Sequence, residues 1–444
     1  MSDHADPGTD GEAPLRVLFD LSVVGLAESA ERARTGVYRV VSQTAHRLAE
    51  RTDVDVFWSA VADYQNHQAL AGAIHAGTLA GTPIAGRELL KPAPGMETVA
   101  RLADWNDRIG ALGFGLGRLT EPLRRILRGR MRRPQWRPSE VASFDVVHLP
   151  YHEWPGGKRR SSTPGGDGRQ PARVFTVYDL IPWRHPEWFS MGEPERFRRG
   201  LAAIRPGDGV VVNADSTRRD LLEARPDLDA GSIEVLPLGV SDLFQPCSQT
   251  EKITAFRDRV KIGRDDRYLL SLCTLEPRKN LPTLIRAFER LCDGGDRQTH
   301  LVLVGAKGWG DDPVPDDLDP RVADRIHLPG FIADEDLSAV YTGASAFVYL
   351  SRYEGFGLPP LEAMACGTPV VVSDNSSLPE VVGDAGRLVP ADDLSQIVDA
   401  IRSIFDDDRF AEELSRRGRE RAADYTWERH VDGLINFYRR LVRP

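Results

Sequence analysis

The chain has 444 residues, of which 41% are hydrophobic, and a formal net charge of −9 at pH 7. This length predicts about two or three globular domains, and the negative charge argues against a general nucleic-acid-binding protein. No run of about 18 apolar residues occurs, so we expect no membrane span. The cysteines lack metal-ligand spacing, which is typical of a reduced, cytoplasmic protein without disulfides: they are Cys247, Cys273, Cys292 and Cys366.

Predicted strands and helices alternate along the first half of the chain. Residues 1–14 are polar and acidic, so we expect a disordered tail. Ser216 is a suitable N-cap for the helix that follows it. The apolar pattern predicts strands at 15–20, 54–60, 144–149, 174–178 and 209–213, with helices at 35–51, 194–204 and 216–224. We therefore predict an α/β domain over 15–240.

A basic insertion at about 75–140 interrupts this first domain. Its segment 117–137 contains eight arginines and one acidic residue. Four apolar residues in it can share one helical face: Leu119, Leu123, Ile126 and Leu127. A basic amphipathic helix predicts contact with an anionic membrane surface. The alternative is a solvated surface helix.

Alternation resumes in the second half. Apolar runs predict strands at 267–274, 300–305, 325–328, 346–350 and 370–373, and a helix at 281–291. Two successive alternating blocks predict two doubly wound parallel sheets. Pro, Gly and polar residues at 238–249 indicate the boundary, which gives a second domain over 241–426 and a final helical segment over 427–444.

The segment 351–370 carries two glutamates, Glu354 and Glu362, around a glycine-rich turn. The turn follows a predicted strand and precedes a helix that opens with two prolines, which are tolerated in a first helical turn. The N–H groups of Phe356, Gly357 and Leu358, together with the helix dipole, favour a phosphate. Carboxylates beside a phosphate site are well placed to accept hydrogen bonds from sugar hydroxyls. The segment therefore predicts a nucleotide-sugar site.

This segment resembles the E-x7-E signature of retaining GT4-type (group 1) glycosyltransferases, and the pattern continues through 367–374 and 378–382. The chain looks most like the bacterial mannosyltransferase-like members. The resemblance implies the GT-B fold, in which two Rossmann-like domains face a central cleft. It implies that the first domain binds the acceptor, that the second binds the nucleotide sugar, and that the final helix over 427–444 crosses back to the first domain. It also implies that Glu362 binds the ribose of the donor and that Glu354 lies near the donor sugar and the diphosphate.

The stretch 275–281 includes the sequence Glu-Pro-Arg-Lys-Asn and follows a predicted strand. Cleavage of a glycosyl–phosphate bond needs fixed positive charge at the leaving diphosphate, and Arg278 and Lys279 provide it at the sheet edge where ligands bind. The stretch resembles a GT4 motif. Because the family's earlier glycine–arginine pair is absent here, Arg278 is expected to take over that arginine's role. No Asp-x-Asp motif occurs in a suitable context, so we expect no metal and no cofactor.

Weaker matches lie in the first domain. Gly36 resembles the family's first glycine-rich loop, although an ordinary helix start explains it equally well. Arg39, one turn further, is a predicted acceptor or phosphate contact. His148 and His152 follow or end a predicted strand and are predicted acceptor contacts, with a structural histidine as the alternative.

Tyr178 and Asp179 mark a departure from the family, which usually has a histidine at the position of Tyr178. A tyrosine donates a hydrogen bond but is a poor proton acceptor near neutral pH. The replacement fits a retaining route in which the departing phosphate receives the proton of the acceptor, and it also fits an inactive homologue. Asp179 is expected to orient acceptor or sugar hydroxyls.

The resemblance implies transfer of a hexose or deoxyhexose from a nucleotide-diphosphate sugar, and GDP-mannose is the donor that we expect. The acceptor would be a hydroxyl of a glycan or lipid-linked glycan in polysaccharide or glycolipid synthesis, and no nucleic acid is expected as a partner. The expected location is the cytoplasm, with peripheral contact at the inner face of the plasma membrane through 117–137. Alternatives are a catalytically degenerate GT-B binding or scaffold subunit and a GT-B phosphorylase or epimerase.

Overall fold

The structure is a computed structural model that describes residues 13–443 apart from several internal segments: 30–35, 61–63, 92–97, 104, 106–121, 124, 128–137, 151–169 and 306–313. His152 and most of the basic segment 117–137 therefore lie outside the described residues. The predictions made for them remain predictions.

The first sheet has six strands in the order β2-β1-β3-β4-β5-β6. The strands are β1 (Leu15–Asp20), β2 (Val54–Ser59), β3 (Val146–Leu149), β4 (Ala172–Val177), β5 (Gly209–Val212) and β6 (Ile233–Val235). The neighbours β1 and β2, β1 and β3, β3 and β4, and β5 and β6 pair in parallel. Every residue of β3 and of β5 is buried, which explains why these strands are unbroken apolar runs rather than alternating ones.

The helices of this half follow its strands. Those with defined limits among the described residues are α1 (Ser22–Ser29), α2 (Gly36–Glu50), α3 (Tyr64–Ala76), α4 (Pro138–Val141), α5 (Ile181–Arg184), α6 (Glu193–Leu201) and α7 (Asp215–Ala224). In α2 the buried residues include Val40, Val41, Thr44 and Leu48, a spacing of three and four that places them on one face.

The second sheet has six parallel strands in the order β12-β11-β10-β7-β8-β9. They are β7 (Arg267–Leu272), β8 (Thr299–Val304), β9 (Ile326–Gly330), β10 (Ala346–Tyr349), β11 (Val370–Ser373) and β12 (Arg387–Val389). The chain builds outward from β7 to β9 and then returns to add β10 on the other side of β7. The strand order therefore reverses between β7 and β10, and ligands bind at such a switch point in open α/β sheets.

Nine helices complete the described second half. They are α8 (Thr250–Arg259), α9 (Leu281–Asp293), α10 (Pro320–Ala323), α11 (Asp334–Thr342), α12 (Leu358–Ala365), α13 (Leu378–Val382), α14 (Leu394–Phe405), α15 (Asp408–Ala422) and α16 (Trp427–Val442). Among the described helices, none is long and apolar enough to cross a bilayer.

By its internal contacts the chain divides into two compact units, one formed by Met1–Thr176 with Leu434–Pro444 and the other by Val177–Gly433. The helix α16 begins in the second unit and ends in the first. The predicted domain limits at 240 and 426 remain predictions.

One local prediction is wrong. Ser216 is not the N-cap of α7, because the helix begins at Asp215 and its N-cap position is Ala214. The carboxylate of Glu380 accepts the N–H groups of Asp215 and Ser216 at 2.7 and 2.8 Å. A carboxylate distant in sequence thus does the work that the local pattern assigned to the serine.

Candidate active site

The site lies on two loops at the switch point of the second sheet. Residues 275–280 follow β7 and residues 351–357 follow β10, and these strands pair in parallel. Their carboxyl ends therefore share one sheet edge. The N–H of Arg352 donates to the carbonyl of Arg278 at 2.8 Å, which joins the two loops directly.

Glu354 is the centre of the hydrogen-bond network in these loops, and it is buried. Its Oε1 accepts from Lys279 Nζ at 2.5 Å, Ser351 Oγ at 2.5 Å and Tyr349 Oη at 2.8 Å. Its Oε2 lies 3.0 Å from Nη1 of Arg278. Both oxygens are thus engaged by donors, and two of these donors are cations.

This environment fixes the charge of Glu354. Burial alone would raise the pKa of this carboxyl, but Arg278 and Lys279 outweigh it and lower the pKa to about 2. Glu354 is therefore ionised at neutral pH. It can stabilise positive charge or accept hydrogen bonds, but it holds no proton to donate to a leaving group.

Arg278 and Lys279 present donors on the same edge. Arg278 directs Nη1 to Glu354 and to the carbonyl of Tyr353 at 3.1 Å, while its Nε lies 2.6 Å from Oε1 of Glu276. Lys279 Nζ also donates to Tyr349 Oη at 2.6 Å. Within the described part of the chain, Nη2 of Arg278 has no such contact, and Lys279 has one further N–H. Both are suited to phosphate oxygens.

Asn280 holds the cation-bearing loop in shape. Its backbone is left-handed, with φ of 56°. Its Nδ2 donates to the carbonyl of Ala391 at 2.9 Å, and its Oδ1 accepts from Thr283 Oγ1 at 2.8 Å. Since asparagine tolerates this conformation better than most residues, the loop can turn sharply from Lys279 into α9.

Glu362 lies just past the first turn of α12 and is buried, with its Oε2 accepting from Tyr341 Oη at 2.9 Å. Gly357 precedes the helix with φ of 111°, which favours glycine. Among the described residues, nothing accepts the backbone N–H groups of Phe356, Gly357 and Leu358. They remain available to an anion at this helix start.

Tyr178 and Asp179 lie against this glycine-rich turn. A side chain at Gly355 would place its Cβ 2.2 Å from the carbonyl oxygen of Tyr178, so only glycine fits there. Asp179 Oδ1 accepts the N–H of Ile181 at 3.0 Å. Burial raises the pKa of Asp179 and also that of Tyr178, so the tyrosine hydroxyl stays protonated and can serve as a donor.

The other predicted contacts belong to the first unit. Gly36 is exposed and begins α2, and Arg39 follows it on the same helix. His148 is buried, with Nδ1 2.5 Å from Tyr438 Oη and Nε2 2.8 Å from Thr176 Oγ1. These bonds tie the strand β3 to α16. A role for Gly36 at the donor phosphate, and for Arg39 and His148 at the acceptor, stays a prediction, as does the acceptor role of His152.

Four residues of this network were not predicted from the sequence: Glu276, Asn280, Tyr349 and Ser351. Glu276 and Asn280 flank the predicted cations in sequence. Tyr349 and Ser351 carry hydroxyls at the carboxyl end of β10, where polar groups are a recognisable signal. No group of three potential metal ligands occurs among the described residues.

Comparisons with known proteins identify the class. Residues 252–421 match the family described as glycosyl transferases group 1. The O-antigen chain mannosyltransferase B of Escherichia coli is 41% identical over 269 residues, which cover 60% of this chain and 70% of that protein. The serotype-specific mannosyltransferase WbdA of Escherichia coli is 29% identical over 283 residues, but this chain spans only 34% of its length.

A solved structure agrees in fold. Sucrose-phosphate synthase from Thermosynechococcus elongatus superposes with a TM-score of 0.63 at 21% identity, covering 96% of this chain and 99% of that one. Two parallel α/β sheets of this kind define the GT-B fold, and the family match together with the mannosyltransferase relative defines a glycosyltransferase enzyme. The chain belongs to the group 1 glycosyltransferases. The predicted family, fold class and enzyme class are thus confirmed.

Proposed function

We propose that this enzyme transfers a mannosyl residue from GDP-mannose to a glycan hydroxyl, with retention of the anomeric configuration. The observation that carries the proposal is the ionised Glu354 held between Arg278 and Lys279 at the switch point. The name of the Escherichia coli relative, an O-antigen chain mannosyltransferase, supports mannose and a polysaccharide acceptor. Another hexose or a deoxyhexose would use the same chemistry.

The leaving diphosphate is the group that this site is built to stabilise. Nη2 of Arg278, the third N–H of Lys279 and the N–H groups at the start of α12 are donors that need no rearrangement during reaction. Glu362, buried in α12, is the proposed ribose contact. Fixed cations in this arrangement can replace a divalent ion, so we propose catalysis without a metal or cofactor.

The proposal of retention is supported by which groups lack a proton and which keep one. Glu354 is ionised and cannot act as a general acid, while the buried hydroxyl of Tyr178 is a poor base. The proton of the acceptor hydroxyl is therefore proposed to pass to the leaving phosphate oxygen as the new bond forms on the same face of the sugar. Asp179 is proposed to orient the acceptor or sugar hydroxyls beside it.

The proposed acceptor is a glycan or lipid-linked glycan, and the proposed place of action is the cytoplasmic face of the plasma membrane. The described part of the basic segment supports a surface contact only in part. Leu123 and Ile126 are 45% and 59% exposed, but Leu127 is buried against Ala103. A membrane-contacting face would therefore include Leu123 and Ile126 and exclude Leu127.

Calorimetric titration with GDP, UDP and dTDP tests the donor assignment. We expect tight binding of GDP and weakened binding by Glu362→Ala, with Glu289→Ala as a carboxylate control on the outer part of α9. NMR of the product with GDP-mannose then reports the anomeric configuration, and an inverted product rejects the retaining route. Nucleotide binding without turnover on any glycan favours a degenerate binding subunit instead.

A further inference from the structure

Glu276 is a buried carboxylate that the proposed chemistry does not use. Its side chain is only 3% exposed, and Oε1 lies 2.6 Å from Nε of Arg278. Even so, this oxygen accepts no well-aligned hydrogen bond from any described residue. A buried charge with one imperfect partner destabilises a fold, so its presence beside a ligand site indicates a functional reason.

The geometry of Arg278 supplies that reason. Its guanidinium is planar and rigid, with donors on three sides. Glu276 lies at Nε, and Glu354 together with the carbonyl of Tyr353 lies at Nη1. Once these two sides are fixed, the direction of Nη2 is fixed as well, and this side has no contact within the described chain.

We infer that Glu276 is a positioning residue that keeps the Nη2 edge of Arg278 turned toward the diphosphate of the nucleotide sugar. This inference rests on the proposed function, since it assumes an anionic donor at the switch point. Without Glu276, the guanidinium would be free to rotate and pair through two nitrogens with Glu354, which is the preferred geometry of an arginine–carboxylate pair. Nη2, the side of Arg278 that is open to the ligand, would then turn toward Glu354.

Glu276 acts on Arg278 through its negative charge, and two cations and two acidic groups surround that charge. Arg278 and Lys279 attract it, while Glu354 and the thiol of Cys273 lie in the same cluster. Burial raises the pKa of Glu276. The neutral isostere in Glu276→Gln therefore relieves a buried charge, and we expect it to fold with an unchanged or higher melting temperature. If the ion pair between Glu276 and Arg278 served only to stabilise the fold, Glu276→Gln would have a lower melting temperature than wild type.

A double-mutant cycle tests the inference. The probe is whichever of GDP, UDP and dTDP binds wild type most tightly, titrated by calorimetry into wild type, Glu276→Gln, Arg278→Ala and the double variant. We expect Glu276→Gln to weaken binding about tenfold, the lower end of the loss seen when the hydrogen-bonded partner of a metal ligand is removed. Because Glu276 acts through Arg278, the double variant should bind no more weakly than Arg278→Ala alone.

Different outcomes reject different claims. Unchanged affinity in Glu276→Gln, or losses that add in the double variant, overturn the positioning role while leaving the proposed function intact. Failure of the folded wild type to bind any of the three nucleotides rejects the proposed function and this inference with it. Glu289→Gln, which removes a carboxylate paired with Arg286 at 2.8 Å on α9, is the matched control and should bind like wild type.

Discussion

At the scale of single residues, Lys279 is the side chain whose loss we expect to weaken nucleotide binding most directly. Its ammonium is buried against Glu354, so Lys279→Ala leaves a buried carboxylate with one cation fewer and removes a phosphate donor. We expect nucleotide affinity to fall at least about 30-fold, corresponding to about 2 kcal/mol. Calorimetry with the nucleotide that wild type binds most tightly measures this loss of affinity. Equal affinity in wild type and Lys279→Ala would show that Lys279 does not contact the phosphates.

Tyr178→His is the informative companion to that variant. The backbone carbonyl of Tyr178 lies against Gly355 of the glycine-rich turn, and a histidine keeps this carbonyl, so the replacement should leave nucleotide affinity within about twofold. A large loss of affinity would mean that the ring itself supports the donor site.

Glu354 should make stability depend on acid pH in a defined window. Burial opposes its ionisation, but Arg278 and Lys279 lower its folded pKa to about 2 from 4.5. For a lowered pKa, the stabilisation is complete above the unfolded value and is lost as pH falls toward the folded one. Relative to Glu354→Gln, wild type should keep a constant advantage above pH 5 and lose about 3 kcal/mol between about pH 4.5 and 2.

Unfolding in urea at a series of pH values checks this difference between the two proteins. Carboxylates remote from Glu354 titrate alike in both proteins and cancel in the comparison. A difference that stays flat down to pH 2 would show that the ion pairs do not lower the pKa of Glu354.

Residue identities at the site were predictable where a motif follows a strand, as for Glu354, Arg278 and Lys279. Their partners were not. Tyr349 meets Lys279 only because β10 pairs with β7, although the two strands lie far apart in sequence. Sequence order alone does not reveal which strands become neighbours.

At the scale of elements, the start of α7 offers a clear prediction. Glu380 accepts two backbone N–H groups there, so Glu380→Ala should destabilise the protein by about 1 kcal/mol. Ser216→Ala is the matched control and should be nearly neutral, because the buried hydroxyl of Ser216 has no hydrogen-bond partner among the described residues. Thermal or urea unfolding measures the loss of stability in each variant. A larger loss in Ser216→Ala than in Glu380→Ala would show that Ser216 caps the helix after all.

Most of the described strands were predicted close to their true limits because they are unbroken apolar runs. The strands β6 and β12 were missed. Each has three residues and includes a charged side chain, Glu234 or Arg387. Segments this short have too little periodicity to be distinguished from loops, and only pairing with a neighbouring strand defines them.

At the scale of the whole molecule, the alternation of strands and helices predicted two parallel sheets but not their strand order. That order places the loops after β7 and β10 side by side, and it thereby creates the site. Topology of this kind depends on the return crossover between β9 and β10, which no local pattern records.

The site also has a consequence for how a donor arrives. Two carboxylates, Glu276 and Glu354, balance two cations, Arg278 and Lys279, in a chain whose net charge is −9. Long-range attraction of an anionic nucleotide is therefore not expected. Stopped-flow association rates should therefore not fall between 20 and 200 mM salt, and a steep fall with salt would contradict this.

The charges of this site cancel one another before a nucleotide binds. It meets every passing nucleotide at the rate of random encounter, whether or not that nucleotide is the correct one. Discrimination must then come after contact, from how long each nucleotide stays. Residence time rather than capture would set the selectivity of this enzyme among the nucleotide sugars of its cell.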